Sequence, residues 1–333
     1  MLSVLLLLPL IGAILVALLS ARNPALVRRA ALVATGVTLV FAWSLLGHFD
    51  PSNAGIQIYE THGWHDRLGA SFSLGVDGIS FPLVLLATLL MPVAVVASAG
   101  VKTGAKLYFS LLLLLESAML GVFMARDWSL FYVFWELTLL PLFFLIDRLG
   151  GQNRQRRQKA ALNFVIYTMG GSVFILIALL LLYDAVPTHS FSMSAIAEAA
   201  LGLPLATQVW IFSGLFIGFG VKMAVFPMHG WAPLVYAEAP SAVPLISSGI
   251  LLKMGGYGLL RAVETLPGAA WALRDWLAVS AFVTLLYGGI LAWRQRDLIV
   301  MLAYSSISHM GVVLLGIAAL NTAGIAGAVM QML

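Results

Sequence analysis

The chain has 333 residues, of which 61% are hydrophobic and 10% are charged, with a mean hydropathy of +1.00 and a formal net charge of +4. This composition lies outside the range of soluble domains and predicts an integral membrane protein. The chain has no cysteine, which excludes disulfides and cysteine-ligated iron–sulfur clusters, and its six histidines are scattered rather than paired at haem or metal spacing. Its basic residues form no aromatic-interleaved patch, so we expect no nucleic-acid binding.

A membrane-spanning helix needs about 20 mostly apolar residues, and this requirement predicts an all-α, polytopic transmembrane helix bundle. The predicted spans are residues 1–19, 27–46, 79–99, 107–125, 128–147, 161–183, 207–226, 243–262, 275–293 and 298–320. The first is interpreted as a retained span, because no cleavage site or basic leader accompanies it. An eleventh apolar run begins near Gly324, and its short length predicts that the sequence is the N-terminal portion of a longer protein.

Basic loop residues predict the orientation, since cytoplasmic loops are enriched in Lys and Arg. One set of alternate loops holds twelve of them: Arg22, Arg28, Arg29, Lys102, Lys106, Arg148, Arg154, Arg156, Arg157, Lys159, Arg294 and Arg296. The other set holds four: Arg67, Arg126, Arg261 and Arg274. The N-terminus is therefore expected on the non-cytoplasmic side of a bacterial inner membrane or an equivalent organelle membrane. The cluster at 154–159 is interpreted as a topology determinant, with contact to anionic lipid as the alternative.

Three ionisable residues fall near the middle of predicted spans: Glu136, Lys222 and Lys253. A charge at the centre of a membrane helix costs roughly 2.5–3.5 kcal/mol on insertion scales, so such residues usually face a polar interior or a partner and carry ions or protons. The pattern predicts a proton or cation conductor in which Glu136 and Lys222 approach each other. A merely structural Lys253 would need its own buried acid, and none lies nearby in sequence.

The segment after Lys222 predicts a broken helix. Pro227 and Pro233 flank Gly230 in an uncharged stretch, and proline removes a backbone donor and clashes with the preceding turn. Freed backbone groups at membrane depth persist only where protein or enclosed water satisfies them, as in transporter binding sites. The break and Lys222 are therefore predicted to form one site that lines a hydrated cavity. The alternative is a helix-end lysine that snorkels to the membrane interface.

Other polar residues are weaker candidates. His309 follows a tyrosine and three serines in an apolar span, which suits a hydrated proton relay or a core histidine satisfied by serine. Glu116 lies in the middle of its span. It either supplies protons to Glu136 or is a neutral, hydrogen-bonded glutamate that packs between helices. Glu238 is interpreted as a helix cap or a proton-uptake residue, and His229 at the break is a further candidate. Asp77 is expected to cap the start of the third span.

Several motifs resemble those of one membrane protein family. They are Trp135-Glu136-Leu137 with Pro141; the lysine ahead of Pro227 with His229-Gly230-Trp231 and Pro233; Ala239-Pro240-Ser241; Leu251-Leu252-Lys253-Met254-Gly255-Gly256-Tyr257-Gly258-Leu259-Leu260-Arg261; and Ala303-Tyr304-Ser305-Ser306-Ile307-Ser308-His309-Met310-Gly311. Together, from about residue 73 onward, they resemble the M-type (chain 4) antiporter-like subunit of respiratory complex I. The resemblance implies a fourteen-helix proton channel with two inverted five-helix repeats, beside similar subunits of an NADH:quinone oxidoreductase.

The resemblance implies roles for four residues in a polar axis. Glu136 matches the carboxylate of the fifth helix, and Lys222 matches the lysine of the broken seventh helix. Lys253 matches the central lysine of the eighth helix, and His309 the histidine of the tenth. The chain departs from the family after the break, where the usual Leu-Pro-Asp-Ala-His is replaced by residues 232–236, Ala-Pro-Leu-Val-Tyr.

The resemblance also implies an organisation and a set of partners. Residues 1–106 would form N-terminal helices with an extracytoplasmic loop, 107–262 a first five-helix repeat and 263–333 the start of a second. No cofactor is expected in this chain, whereas flavin, iron–sulfur clusters and quinone are expected in partner subunits. The expected partners are other antiporter-like and small membrane subunits of complex I and the lipid bilayer.

Two classes of function remain open from the sequence. The first is a proton-translocating subunit driven by electron transfer from NADH or ferredoxin to quinone in partner chains. The second is a subunit of a multisubunit Na⁺/H⁺ antiporter without redox chemistry. A membrane scaffold is a third and poorer interpretation, because it does not explain ionisable residues at span centres.

Overall fold

The computed structural model describes residues 1–65, 68–187 and 189–333. Within these residues, nine helical segments are long and apolar enough to cross a membrane, and they follow an apolar 17-residue helix, Leu2–Leu18. Each of the ten coincides with one predicted span, so the predicted polytopic helix bundle is confirmed. Arg67, which entered the loop-charge comparison, lies outside the described residues.

The N-terminal part is built around one deeply buried helix. Its four helices are α1 (Leu2–Leu18), α2 (Pro24–Ser44, followed by the 3₁₀ turn Leu45–His48), α3 (Ser80–Ala97) and α4 (Ala105–Met124). α4 packs against each of the other three, and 83% of its most apolar stretch is buried. Asn23 starts α2 by accepting a hydrogen bond from the amide of Leu26, and proline occupies the first helical position.

A β-hairpin interrupts the helical bundle between α2 and α3, and the sequence interpretation missed it. Its antiparallel strands are β1 (Gln57–His65) and β2 (Ala70–Val76). The carbonyl of Ser73 accepts a hydrogen bond from the amide of Arg126, and Ser71 donates to Asp127 through its amide and its hydroxyl. The hairpin is therefore fastened to the residues that follow α4.

The predicted fifth span is divided at Thr138. Its two halves are α5 (Trp128–Leu137) and α6 (Leu139–Leu149). Asp127 caps α5 by accepting from the amides of Ser129 and Leu130. The ring of Pro141 conflicts with the carbonyl of Leu137, four residues earlier, which accounts for an interruption at this point.

The predicted break in the seventh span is confirmed. The elements here are α7 (Arg154–Ala185), the short α8 (Met193–Ala200), α9 (Leu205–Met223) and α10 (Ala232–Glu238). The break begins before the first proline, because Ala224 adopts the left-handed conformation at φ 58°. Protein groups satisfy two polar groups freed there: the amide of Phe226 donates to Thr284 at 3.1 Å, and the Trp231 indole donates to the Val221 carbonyl at 2.8 Å.

The remaining helices complete the eighth, ninth and tenth spans. They are α11 (Ala242–Ile246), a π-helical turn (Ser247–Leu251), α12 (Leu252–Thr265), α13 (Pro267–Ala272), α14 (Arg274–Arg294), α15 (Leu298–Ala318) and α16 (Thr322–Met332). The π turn ends two residues before Lys253. Such turns are rare and frequently occur at functional sites, so the eighth span is irregular where its lysine lies.

Candidate functional site

Lys222 is buried in the last turn of α9. Its side chain is only 2% exposed, and its Nζ donates a hydrogen bond to Oγ1 of Thr138 at 2.9 Å. The same nitrogen lies 5.1 Å from the Trp135 ring centroid and 6.0 Å from that of Phe164. The C-terminal end of a helix favours a cation, and aromatic faces attract one. The alternative of a snorkelling lysine is therefore wrong.

Thr138 meets this lysine because it lies in the interruption between α5 and α6. Its hydroxyl donates to the Trp135 carbonyl at 2.7 Å, which leaves its lone pairs free to accept from Lys222. The Trp135 indole donates to the hydroxyl of Ser172 on α7 at 3.1 Å, and its ring packs 5.3 Å from that of Phe219. The break in the fifth span thus presents a fixed hydroxyl to the break in the seventh.

Glu136 shares this region without forming a direct salt bridge. Only Leu137 separates it in sequence from Thr138, the residue that Lys222 contacts. Among the described residues, however, no carboxylate oxygen lies within the 4.0 Å ion-pair limit of Lys222. Oε1 of Glu136 is buried and has no hydrogen-bond partner in the described part of the chain. The two predicted residues are near each other, but the lysine contacts threonine.

Lys253 is the second residue of α12, which directly follows the π turn. Its Nζ donates to the main-chain carbonyl of Ser248, within that turn. A π turn changes the helical hydrogen-bond pattern, so it offers carbonyl oxygens to nearby donors. No acid of the described chain forms an ion pair with Lys253.

Tyr236 connects the broken helix to the π turn, and the sequence interpretation did not single it out as a site residue. Its side chain is 1% exposed, and its hydroxyl lies near the side chains of Ser248 and Ser306. It has no hydrogen bond of standard geometry within the described residues. The signal in the sequence was the departure from the family at 232–236, which places a tyrosine where a histidine is usual.

His229 extends the polar region from the break toward α14 and α15. Its ring lies 4.9 Å from that of Tyr287, 5.7 Å from that of Phe226 and 6.4 Å from that of Tyr304, measured between centroids. The side chain is 9% exposed, and its Nδ1 is buried with no hydrogen-bond partner among the described residues. His229 therefore lies where the break, α14 and α15 meet.

His309 differs from the expectation that serine satisfies it in a core. Its side chain is exposed, and its Nδ1 lies 3.2 Å from the side-chain nitrogen Nε2 of Gln331 on α16. The neighbouring hydroxyls are engaged elsewhere: Ser306 donates to the Leu302 carbonyl and Ser308 to the Leu285 carbonyl. No serine of the described chain is hydrogen-bonded to His309, and both the relay role and the core role remain predictions.

The two glutamates among the weaker candidates also lie differently from expectation. Glu116 on α4 is fully buried, and neither carboxylate oxygen has a hydrogen-bond partner among the described residues, so both interpretations of this residue remain predictions. Glu238 is the last residue of α10, and no side chain caps the following helix, α11. Its carbonyl instead accepts from the amide of Gly151 at 2.7 Å. The capping interpretation of Glu238 is therefore wrong.

A second charged cluster lies at the hairpin end of the bundle. Asp77 caps α3 as predicted, since its Oδ1 accepts from the Ser80 amide at 2.9 Å. Its Oδ2 lies 2.6 Å from Arg261 and 3.0 Å from Arg126, and Arg261 also contacts Glu264 at 2.7 Å. Burial alone would raise the pKa of Asp77, but Arg261 and Arg126 hold it well below its usual range.

This network was missed because its members are far apart in sequence. They border a cavity of about 550 Å³, together with the hairpin and α8. The loop-charge comparison placed Arg126 and Arg261 at the same end of the bundle, which was the available signal. In the structure both are buried ion-pair partners rather than solvated loop charges.

Interrupted apolar helices that bury an ionisable side chain at the break are typical of membrane proteins that move ions or protons. The described residues have this arrangement. A family model described as "NADH:quinone oxidoreductase/Mrp antiporter, TM" matches residues 125–333. The chain belongs to this family, which confirms the resemblance found in its motifs.

Curated relatives are similar in sequence to nearly the whole chain. NAD(P)H-quinone oxidoreductase chain 4 3 of Picosynechococcus sp. is 41% identical over 329 residues, which cover 98% of this chain and 59% of the relative. NAD(P)H-quinone oxidoreductase chain 4 2 of Thermosynechococcus vestitus is 42% identical over 337 residues, covering 100% and 62%. The chain thus spans about three fifths of the length of these relatives.

Solved structures show the same architecture. A chain of respiratory complex I from Thermus thermophilus with bound NADH matches with a TM-score of 0.88 and 27% identity, covering 99% of this chain and 67% of that one. A chain of the Mrp complex from Dietzia sp. matches with a TM-score of 0.86 and 23% identity, covering 99% and 35%, and this likeness concerns the fold alone.

Proposed function

We propose that this chain is a proton-translocating membrane subunit of an NAD(P)H- or ferredoxin-driven quinone oxidoreductase. The observation that carries the proposal is Lys222, which is buried at a helix break and bound to Thr138 without an ion-pair partner in the described chain. The names of the relatives and of the Thermus thermophilus complex support the redox assembly.

The electrostatics of the pocket explain how Lys222 can exchange a proton. Desolvation disfavours the charged lysine, whereas a nearby carboxylate favours it. Because Glu136 does not form an ion pair with Lys222 in this structure, a small change in their separation would shift the balance between holding and releasing a proton. Thr138 keeps the ammonium group in place while this balance changes.

Beyond Lys222, the proposed path runs through the centre of the bundle. A proton released at the break would pass by water and hydroxyl groups toward Lys253, and the Tyr236 hydroxyl near Ser248 lies on this route. His309 would receive it on α15. Hydroxyls suit this role because each both donates and accepts a hydrogen bond.

The assembly follows from the same assignment. Electron transfer, with its flavin, iron–sulfur clusters and quinone, belongs to partner subunits, and other antiporter-like and small membrane subunits flank this chain. The proposed membrane is a bacterial inner membrane or its organelle equivalent, with the N-terminus on the non-cytoplasmic side. The loop-charge asymmetry supports this orientation.

The test uses the native assembly reconstituted in proteoliposomes, with donor-driven proton uptake followed by a pH-sensitive dye. Lys222→Gln and Glu136→Gln should each lower the rate of donor-driven proton uptake, most strongly for the lysine, because a positioned proton carrier contributes on the order of 10²–10⁴-fold to the rate of the transfer step it serves. Lys159→Gln, an exposed lysine in the second turn of α7, is the matched control and should pump normally. Normal pumping by Lys222→Gln would contradict the proposal.

The second candidate, Na⁺/H⁺ antiport without redox chemistry, has support from the family description, which includes Mrp antiporters. The same proteoliposomes distinguish the two functions. A redox subunit acidifies or alkalinises the lumen only when an electron donor and quinone are supplied. Proton flux driven by a sodium gradient alone, abolished by Lys222→Gln, would favour the antiporter.

A further inference from the structure

A basic pocket lies between the end of α6 and the start of α7. It has a volume of about 240 Å³ and is lined by Asp147, Arg148, Arg154, Arg157 and Gln158. Asp147 is paired with Arg148 at 3.2 Å, which leaves the guanidinium groups of Arg154 and Arg157 without a carboxylate in the described structure. The lining therefore carries a net charge of about +2, which favours an anion.

Two further features supply hydrogen-bond donors to this pocket. The Nε of Arg157 is buried and has no acceptor among the described residues, although its Nη1 reaches the Gly151 carbonyl at 3.4 Å. Arg154 is also the first residue of the 32-residue α7. The Asn153 side chain already accepts from the Arg156 amide, so α7 offers an anion mainly the positive end of its dipole, while guanidinium groups match phosphate geometry.

An exposed apolar stripe continues from the pocket along α7. Leu162 and Ile166 lie one and two turns beyond Gln158 on the same helical face, because residues four apart align. Their side chains are 56% and 66% exposed. A phosphate in the pocket would therefore have a surface for a hydrocarbon chain directly beside it, at the edge of two membrane spans.

We propose that this pocket binds the phosphate of an anionic phospholipid, with an acyl chain along Leu162 and Ile166. The headgroup would contact Arg157, whose guanidinium donates a hydrogen bond to the Gly151 carbonyl. The Gly151 amide in turn donates to the carbonyl of Glu238 at the end of α10. The bound lipid thus stabilises the loop on which the broken helix rests.

The experiment uses the complete assembly, delipidated and placed in phosphatidylcholine nanodiscs with increasing phosphatidylglycerol, and counts retained lipids by native mass spectrometry. The triple variant Arg148→Gln, Arg154→Gln and Arg157→Gln should weaken retention of one phosphatidylglycerol by about a hundredfold, since each basic side chain near a membrane contributes about fivefold. The control is Arg294→Gln with Arg296→Gln, two exposed arginines outside the pocket, which should leave this lipid in place.

Three outcomes decide the proposal. Equal retention by the wild type and the triple variant would overturn it. Inorganic phosphate that binds the detergent-solubilised assembly as tightly as phosphatidylglycerol, with the same arginine dependence, would show an anion site without a lipid and would also overturn it. If the triple variant does not assemble, Arg157→Lys replaces it, and roughly fivefold weaker retention, from loss of the fork-like donor, supports the proposal.

Discussion

The two buried charged clusters of this protein are arranged in opposite ways. At the hairpin end, Asp77 lies within 3.0 Å of both Arg126 and Arg261, so its charge is neutralised by direct contacts. In the bundle, Lys222 is equally buried but touches a threonine, and Glu136 stays outside ion-pair distance. The first arrangement keeps Asp77 and its two arginines charged. The second leaves the charge of Lys222 dependent on small movements, which suits its proposed role as a proton carrier.

The difference also separates structural from functional roles. Two charges in direct contact stabilise a fold mainly by avoiding the penalty of an unpaired buried charge. Asp77, Arg126 and Arg261 join the hairpin, the end of α4 and the end of α12 in this way. Lys222 joins the breaks of two spans, and no carboxylate of the described residues lies at contact distance from it. Variants in the two clusters should therefore affect different measurements.

The largest effect on stability is expected at Asp77. Asp77→Asn leaves the buried Arg126 without a carboxylate and Arg261 with Glu264 alone, and breaking a buried pair typically costs about 3–5 kcal/mol. Thermal unfolding in nanodiscs should shift strongly, while proton pumping per folded assembly should stay near the wild type. Asp50→Asn, an exposed carboxylate in the same extramembrane region, is the control and should leave stability unchanged. Selective loss of pumping by Asp77→Asn would break the distinction between the clusters.

The sequence predicted the features that depend on local pattern. Apolar length located the spans, the prolines located the broken helix, and the centre of a span located Lys222. The Asp77 network was missed because it joins Asp77 and Arg261 across 184 positions, a pairing that local pattern does not reveal. The role of Thr138 was missed because the clash from Pro141 was not considered, and the π turn before Lys253 has no clear local signal.

The second prediction concerns Thr138. Thr138→Val keeps the shape of the side chain but removes the hydroxyl that holds Lys222, and a hydrogen bond to a charged group contributes about 1.5–3 kcal/mol. Pumping should fall by roughly tenfold, and Thr138→Ser should restore it because serine keeps the acceptor. Donor-driven proton uptake by the two variants provides the measurement. Equal activity of valine and serine at this position would show that the contact does not matter for transfer.

A smaller effect is expected at Tyr236. Its hydroxyl is buried and lacks a hydrogen bond of standard geometry, so Tyr236→Phe should not lower the thermal stability. If the hydroxyl relays protons toward Lys253, pumping should fall by a few-fold, about the effect of 1 kcal/mol. Tyr183→Phe, a tyrosine at the far end of α7, is the control. Unchanged pumping in Tyr236→Phe would remove this residue from the proposed path.

The last prediction uses pH to separate the clusters. Arg261 and Arg126 hold the pKa of Asp77 below its ordinary value of 3.8, so the carboxylate stays charged at any higher pH. Its contribution to stability is complete above that value and declines as pH falls below it toward the pKa in the folded state. The difference in unfolding free energy between wild type and Asp77→Asn should therefore change by less than about 0.5 kcal/mol from pH 8 to pH 5. A difference that shrinks within this range would mean that Asp77 takes up a proton there, and the hairpin cluster would then belong to the proton path rather than to the scaffold.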